Sequence, residues 1–274
     1  MRSIYYYWLM LHPYTSMAVA VVTVILAAPL EGAIHYGRLG HIGLTMLLVQ
    51  FSIGLSNDLL DEPFDAIAKP DKPIPGGRVN RRAAIALLAV LVAVGWALGL
   101  ALGGLAFLVM ILGQGCGVVY NLGVKRTGYS WLPHALAAPT LLLWVRVVNE
   151  TASPAILWAY PLGLLLGPAL NIANQLPGAE EAAVSGEHNL VHQWGVVKAR
   201  RLAAALFMLA ALSMPMVVKN LGNDAGLAEK SAQVGIALSL LFLLVAEADR
   251  RIYLWPLALL IGATLGVGFH LSVP

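Results

Sequence analysis

The chain has 274 residues, 59% of them hydrophobic and 11% charged, with a mean hydropathy of +0.78. That composition excludes a soluble domain and points to a polytopic membrane protein. The net charge of +3 carries no nucleic-acid signal, and the single cysteine, Cys116, excludes an intramolecular disulfide or a cysteine-based metal cluster.

A membrane helix needs about 20 mainly apolar residues. By that measure the sequence predicts spans over 14–31, 40–57, 82–102, 104–121, 129–148, 154–174, 199–218, 231–247 and 252–271. The expected fold is therefore all-α, a bundle of about nine transmembrane helices. The aromatic run Tyr5-Tyr6-Tyr7-Trp8 before the first span is an interface signature, and no small-residue cleavage site follows it. The third and fourth spans are separated only by Leu102-Gly103-Gly104; fusing them would flip everything downstream. Prolines 133, 139, 161 and 168 fall in or near the fifth and sixth spans, where kinked helices can enclose a cavity. Arg146, near the end of the fifth, is expected to snorkel outward.

The basic residues test this count. Alternate loops hold Lys69, Lys72, Arg78, Arg81 and Arg82, then Lys125 and Arg126, then Lys198, Arg200 and Arg201, then Arg250 and Arg251, twelve of the seventeen Lys and Arg. The opposite set holds Arg38, Arg146, Lys219 and Lys230. The positive-inside rule puts the N-terminus and the polar loops in the cytoplasm and the C-terminus outside.

The loop after the second span is the densest polar stretch. From Asn57 to Val79 it holds the acids Asp58, Asp61, Glu62, Asp65 and Asp71 and the bases Lys69, Lys72 and Arg78. Asn57, Asp61 and Asp65 stand at i, i+4 and i+8, so on a helix they share a face. Oxygen donors at that spacing suit a hard divalent cation such as Mg2+, which binds a few carboxylates together with ligand phosphates. The bases that follow suit a polyanionic substrate, and Gly76-Gly77 would let the backbone approach it closely. The competing reading is a solvated loop between two membrane helices.

This stretch resembles the first signature of the UbiA superfamily of intramembrane prenyltransferases, N-D-x-x-D-x-x-x-D followed by K/R-P-D-K/R-P-I-P-x-G-R. Here it stands as Asn57, Asp58, Asp61 and Asp65, then Lys69-Pro70-Asp71-Lys72-Pro73-Ile74-Pro75-Gly76-Gly77-Arg78. A second polar loop follows the sixth span and resembles the second UbiA signature in its menaquinone-type form. Asn174, Leu176, Pro177, Glu180, Gly186, Asn189 and Leu190 match it. The departures are chemical: Gly178 and Ala182 stand where the signature has Asp, Gln175 where it has Glu, and Glu187 where it has Lys.

The resemblance implies one UbiA-like transmembrane domain over 1–274, built as two pseudo-repeated halves with polar cytosolic loops near 57–82 and 174–200. It implies transfer of an isoprenyl group from an isoprenyl diphosphate to an acceptor, aromatic and quinone-precursor-like, with release of diphosphate. Asp58, Asp61 and Asp65 become the catalytic acids, holding Mg2+ together with Asn57. Asp58 acts either as ligand or as support for one. Glu180 and Glu181 remain to complete a weaker second metal site. Lys69, Lys72, Arg78, Tyr120, Asn121, Lys125 and Asn174 become candidates for the diphosphate. Family members often carry Arg or Asn near His12, so His12 is a departure; it lines the acceptor pocket or is an interfacial histidine. The altered second loop keeps two alternatives open, a UbiA-type terpene cyclase and a degenerate non-catalytic member. A transporter is disfavoured, because the ionisable residues gather in the loops rather than at mid-membrane.

Overall fold

A computed structural model describes residues 2–28, 35–180, 188–247 and 253–273, and among these it is helical with no strand. The helices are α1 (Arg2–Met10), α2 (Pro13–Ala27), α3 (Tyr36–Ala68), α4 (Arg81–Ala101), α5 (Gly104–Asn121), α6 (Leu132–Val148), α7 (Ala159–Gln175), α8 (Leu190–Trp194), α9 (Val196–Asn220), α10 (Gly226–Glu247) and α11 (Leu254–Ser272). Short 3-10 turns lie at Val124–Arg126, Pro154–Trp158 and Leu176–Gly178.

Each of the nine predicted spans contains helix. Seven segments among the described residues are long and apolar enough to cross a membrane, and α1 with α2, bent by 56°, would make an eighth. The ninth place is taken by α6, which has only 17 residues. The break between the third and fourth spans is real. Gly103 adopts φ +122°, which favours glycine, and the turn is closed by hydrogen bonds from Leu102 N to Gly99 O (3.1 Å) and Gly103 N to Leu100 O (3.0 Å). Arg146 is buried rather than snorkelled.

The chain divides into two compact units, Met1–Leu122 with Trp144–Glu150, and Gly123–Leu143 with Thr151–Pro274. In the first unit α3 is the central element, packed against α2, α4 and α5. Lipid supplies no hydrophobic drive between helices, so close packing and polar rungs must hold them. Both are present. At Gly117 of α5 an added Cβ would fall 2.8 Å from Ile53 of α3, so the two helices meet where one has no side chain. Trp96 Nε1 of α4 donates to Gln114 Oε1 of α5 (2.8 Å), and Gln114 Nε2 donates to Ser52 Oγ of α3 (2.9 Å).

In the second unit α7 packs against α9 and α11, and α10 against α9 and α11. Gly163 and Gly167 of α7 lie directly against the Ala135 backbone of α6, with no room for a side chain.

Candidate functional site

Helix α3 has 33 residues, about 50 Å at 1.5 Å per residue. The hydrocarbon core is about 30 Å thick, so roughly a dozen residues remain after one crossing. Its last turns, from Asn57 to Ala68, carry the acids. Asp58 and Asp65 are seven residues apart, 20° short of two full turns at 3.6 residues per turn, so they lie almost in line along one face. Both are buried, whereas Asn57 and Asp61 are half-buried.

Lys72 closes over this face. Its Nζ donates to Asp58 Oδ1 (2.9 Å) and to Asp65 Oδ2 (2.8 Å). Burial alone would lower the pKa of Lys72. The Asp58 charge and the hydrogen bonds to Asp65 and Asp58 outweigh it and hold the ammonium above the usual lysine value.

The segment that delivers Lys72 is folded and packed, unlike a solvated loop. Lys72 N donates to Lys69 O (3.0 Å), Gly76 N to Lys72 O (2.8 Å), and Arg78 N and Val79 N both to Pro73 O (2.9 and 3.1 Å). Ile74 and Val79 anchor it in a cluster with Met10, Phe51, Leu55, Leu59, Ala84 and Leu91. Gly76 is needed for space, since its Cβ would fall 2.9 Å from Lys72 O and 3.2 Å from Pro70 O. Gly77 is needed for conformation, at φ +66°. The glycine pair therefore folds the loop onto itself. Arg78 lies over the Tyr6 ring (5.3 Å) and donates to Asp71 O (3.1 Å), while Arg81 Nε donates to Glu62 Oε2 (2.7 Å). Asn80 caps α4, its Oδ1 accepting from Arg82 N and Ala83 N. Lys69 is the last-turn cap of α3, its backbone N donating to Asp65 O (2.7 Å).

His12 reaches the same cluster from the break between α1 and α2. Its backbone is left-handed (φ 48°, ψ 55°), uncommon for a non-glycine residue. Its Nε2 lies 3.3 Å from Asp58 Oδ1, the oxygen that Lys72 also holds. Gly54, one turn before Asp58, makes room for this approach, since a Cβ there would fall 3.0 Å from Leu11 O and 3.1 Å from His12 Cδ2. Sequence reasoning had no signal for this contact, which depends on a bend 46 residues away. Sequence spacing put Asn57, Asp61 and Asp65 on one face, and the structure adds that Lys72 bridges Asp58 and Asp65.

The other candidates are placed as follows. Asn121, at the end of α5, is buried, and its Nδ2 donates to Ile53 O (2.9 Å) and Ser56 Oγ (3.0 Å), bracing α5 on α3. Tyr120 is half-buried one residue earlier. In the second unit, Lys125 is buried on the turn Val124–Arg126, and its carbonyl accepts from Gln175 Nε2 (3.4 Å). Asn174 is half-buried near the end of α7, and Glu180 is exposed. Asn171, in the same helix, is buried and accepts from Ser130 Oγ (2.8 Å). Glu181, Ala182, Gly186 and Glu187 lie outside the described residues.

Among the described residues no three His, Cys, Asp or Glu side chains converge as around a metal ion. The donor set of the first unit nonetheless suits a hard cation: two buried carboxylates are drawn together around the cationic Lys72 ammonium, with Asp61 and Asn57 on the same helix turns. In the second polar loop Glu180 is the one carboxylate among the described residues, and it is exposed, so the described part of that loop does not make a comparable set.

The UbiA prenyltransferase family model matches residues 16–250. A digeranylgeranylglyceryl phosphate synthase of Ignicoccus hospitalis is 32% identical over 176 residues, 59% of this chain and 57% of that protein. Another, of Methanothermobacter thermautotrophicus, is 27% identical over 202 residues, 72% of this chain and 69% of that protein. The chain thus aligns with less than two thirds of the Ignicoccus protein. Both relatives are named for a glyceryl phosphate lipid and neither for a quinone precursor. Among solved structures, a UbiA homologue of Archaeoglobus fulgidus bound to GPP and Mg2+ superposes with a TM-score of 0.74 at 16% identity, over 96% of this chain and 98% of that one. An apo UbiA homologue of Aeropyrum pernix gives 0.68 at 19% identity, over 94% and 96%. The multi-pass helical fold is shared, the first signature is present in full, and the family model covers most of the chain. This protein belongs to the UbiA prenyltransferase family.

Proposed function

We propose that the chain transfers an isoprenyl group from an isoprenyl diphosphate to a lipid-forming acceptor within the membrane, and that it uses Mg2+. The observation that carries this reading is the pair of buried carboxylates Asp58 and Asp65, joined by the half-buried Lys72 at the polar end of α3 under a packed loop. Carboxylates gathered in a cationic setting, with bases beside them, are suited to a diphosphate leaving group.

In this reading Asp58 and Asp65 hold the ion, with Asp61 and Asn57 from adjacent positions. The bound ion would neutralise charge on the diphosphate as the bond to it breaks. Lys72, Lys69 and Arg78 bind the diphosphate oxygens. The C1–O bond of the isoprenyl diphosphate breaks with its electron pair passing to the diphosphate. A nucleophilic atom of the acceptor bonds to C1 and gives up its proton. His12 orients Asp58. The apolar helices around the cluster exclude water from the allylic cation. The roles of Tyr120, Lys125, Asn174 and Glu180 rest on the resemblance. The Lys and Arg bias supports a cytoplasmic placement of the polar loops.

The relatives' names support an acceptor that carries glyceryl phosphate, whose hydroxyl would be the nucleophile. A second reading, an aromatic acceptor, is favoured by the menaquinone-type second signature around Asn174 to Leu190. The test uses purified protein in lipid with Mg2+ and geranylgeranyl diphosphate. Geranylgeranylglyceryl phosphate and a panel of aromatic acceptors are added separately, with Asp65→Ala as control. Diphosphate release that depends on the glycerol lipid and is lost in Asp65→Ala supports the first reading; release with an aromatic ring alone supports the second. Release with no acceptor at all would make the protein a cyclase, and no release with any substrate would make it a degenerate member.

A further inference from the structure

Lys72 is read above as a diphosphate contact, but its ammonium is paired with the two carboxylates assigned to the metal. With its Nζ 2.9 Å from Asp58 Oδ1 and 2.8 Å from Asp65 Oδ2, the ammonium competes by charge with a divalent cation for the same two carboxylates. We propose that Lys72 is a tethered counter-ion of the metal site: it holds Asp58 and Asp65 together until a divalent cation takes their oxygens, and its ammonium then passes to the diphosphate. This rests on the reading of Asp58 and Asp65 as metal ligands.

The local structure suits such an exchange. The Lys72 backbone is fixed at both ends, by its N–H to Lys69 O and its carbonyl accepting from Gly76 N, with Pro70 and Pro73 on either side. A fixed pivot with a flexible four-carbon stem moves the charge without moving the loop. The side chain is 27% exposed, so it has a path out of the cluster. His12 Nε2 remains against Asp58 Oδ1 and keeps that carboxylate oriented after the ammonium leaves. The ammonium also explains why two carboxylates stay buried and adjacent, since like charges on one helix face would otherwise repel.

The proposal makes a prediction of opposite signs. Removing the ammonium removes a competitor for the metal and a donor to the diphosphate. Lys72→Met, which keeps the stem and loses the charge, should bind Mn2+ about tenfold more tightly than the native chain, within the 5–150-fold range of ordinary site couplings. With Mn2+ present it should bind inorganic pyrophosphate about tenfold more weakly. Lys72→Arg should stay near native on both. A purely diphosphate-binding lysine would leave Mn2+ affinity unchanged, and a purely structural one would weaken both ligands.

The experiment measures Mn2+ binding by loss of the free-ion resonance signal, and pyrophosphate binding by calorimetry. It uses the full chain in detergent micelles: native, Lys72→Met, Lys72→Arg and Asp65→Asn. If Lys72→Met is poorly folded, Lys72→Gln replaces it, and the readout becomes the rise in apparent Tm on adding Mn2+, which should exceed that of the native chain. Unchanged or weaker Mn2+ binding on loss of the ammonium, in a chain whose Mn2+ binding is lost in Asp65→Asn, overturns the counter-ion and leaves the metal site standing. No Mn2+ binding by the native chain, with no effect of Asp65→Asn, overturns both.

Discussion

Gly76→Ala isolates the loop from the chemistry, because the residue bears no functional group. The added Cβ would fall 2.9 Å from Lys72 O and 3.2 Å from Pro70 O. Ordinary carbon–oxygen contacts begin near 3.4 Å, so the Lys72 carbonyl must retreat by about 0.5 Å, and both neighbours are backbone. The retreat also strains the 2.8 Å hydrogen bond from Gly76 N to the same carbonyl. Overpacking of this kind costs about 1–3 kcal/mol. The functional cost should be larger, since the carbonyl that moves belongs to the residue whose ammonium lies 2.8–2.9 Å from both acids. Misplacement by about 1 Å can lower a rate about 100-fold, so half that displacement should cost about tenfold. Gly77 serves as the comparison. Its Cβ would meet nothing within 4 Å, and its demand is the positive φ, which Asn tolerates. Prenyl transfer and apparent Tm would be measured for Gly76→Ala and Gly77→Asn in the same lipid. Native turnover in Gly76→Ala, with an unchanged Tm, would refute the claim that this turn sets the reach of Lys72.

The remaining predictions concern the cluster and its supports. Asp58→Asn should lower metal-dependent turnover about 100-fold or more, whereas Glu62→Gln, which breaks only the exposed pair with Arg81, should shift stability by less than about 1 kcal/mol; initial rates and thermal melts separate the two. His12→Asn should keep a near-native apparent Tm because Asn accepts the left-handed backbone, while His12→Val, β-branched at φ 48°, should lose about 1–2 kcal/mol; equal melting of the two variants would show that the bend tolerates any residue. Asn121→Ala removes both donors that tie α5 to Ile53 and Ser56 and should cost about 1–3 kcal/mol of stability with little change in KM for the diphosphate; a large rise in KM would instead place Asn121 against the substrate.

Much of the fold was legible because its signals are long. Twenty apolar residues are needed for each span, so composition marked the segments, and even the short break at Gly103 held. The misplacement was local. The sequence put Arg146 outward because it ends a span, but a buried arginine is decided by its neighbours and not by its position in a helix. Spacing put Asn57, Asp61 and Asp65 on one face of α3, and the signature added Asp58. The i, i+7 pair of Asp58 and Asp65 lies closer to one line on the helix, and Lys72 selects it. The reach of Lys72 depends on a turn whose geometry is set by Gly76 and by the anchoring of Ile74 and Val79. Those are tertiary facts, and residue types alone carry no trace of them. The contact of His12 with Asp58 is of the same kind, since it requires both the bend after α1 and the missing side chain at Gly54.

The two polar segments also differ in what their residues can do without a ligand. In the first, Asp58, Asp61 and Asp65 bring three negative charges to two turns of helix, and Lys72 cancels one of them. Two remain, so the segment calls for further positive charge of the kind a divalent cation would supply. In the second, Gly178 occupies a place where the family signature has an acid, and the described residues around it are held by neutral hydrogen bonds such as Ser130 to Asn171 and Gln175 to Lys125. The first signature keeps every acid, together with the lysine that holds Asp58 and Asp65 and the histidine that touches Asp58. In the reading proposed above, the demand for a divalent ion falls on the first segment, and mutations there should change metal dependence while those at Ser130 or Asn171 change stability alone.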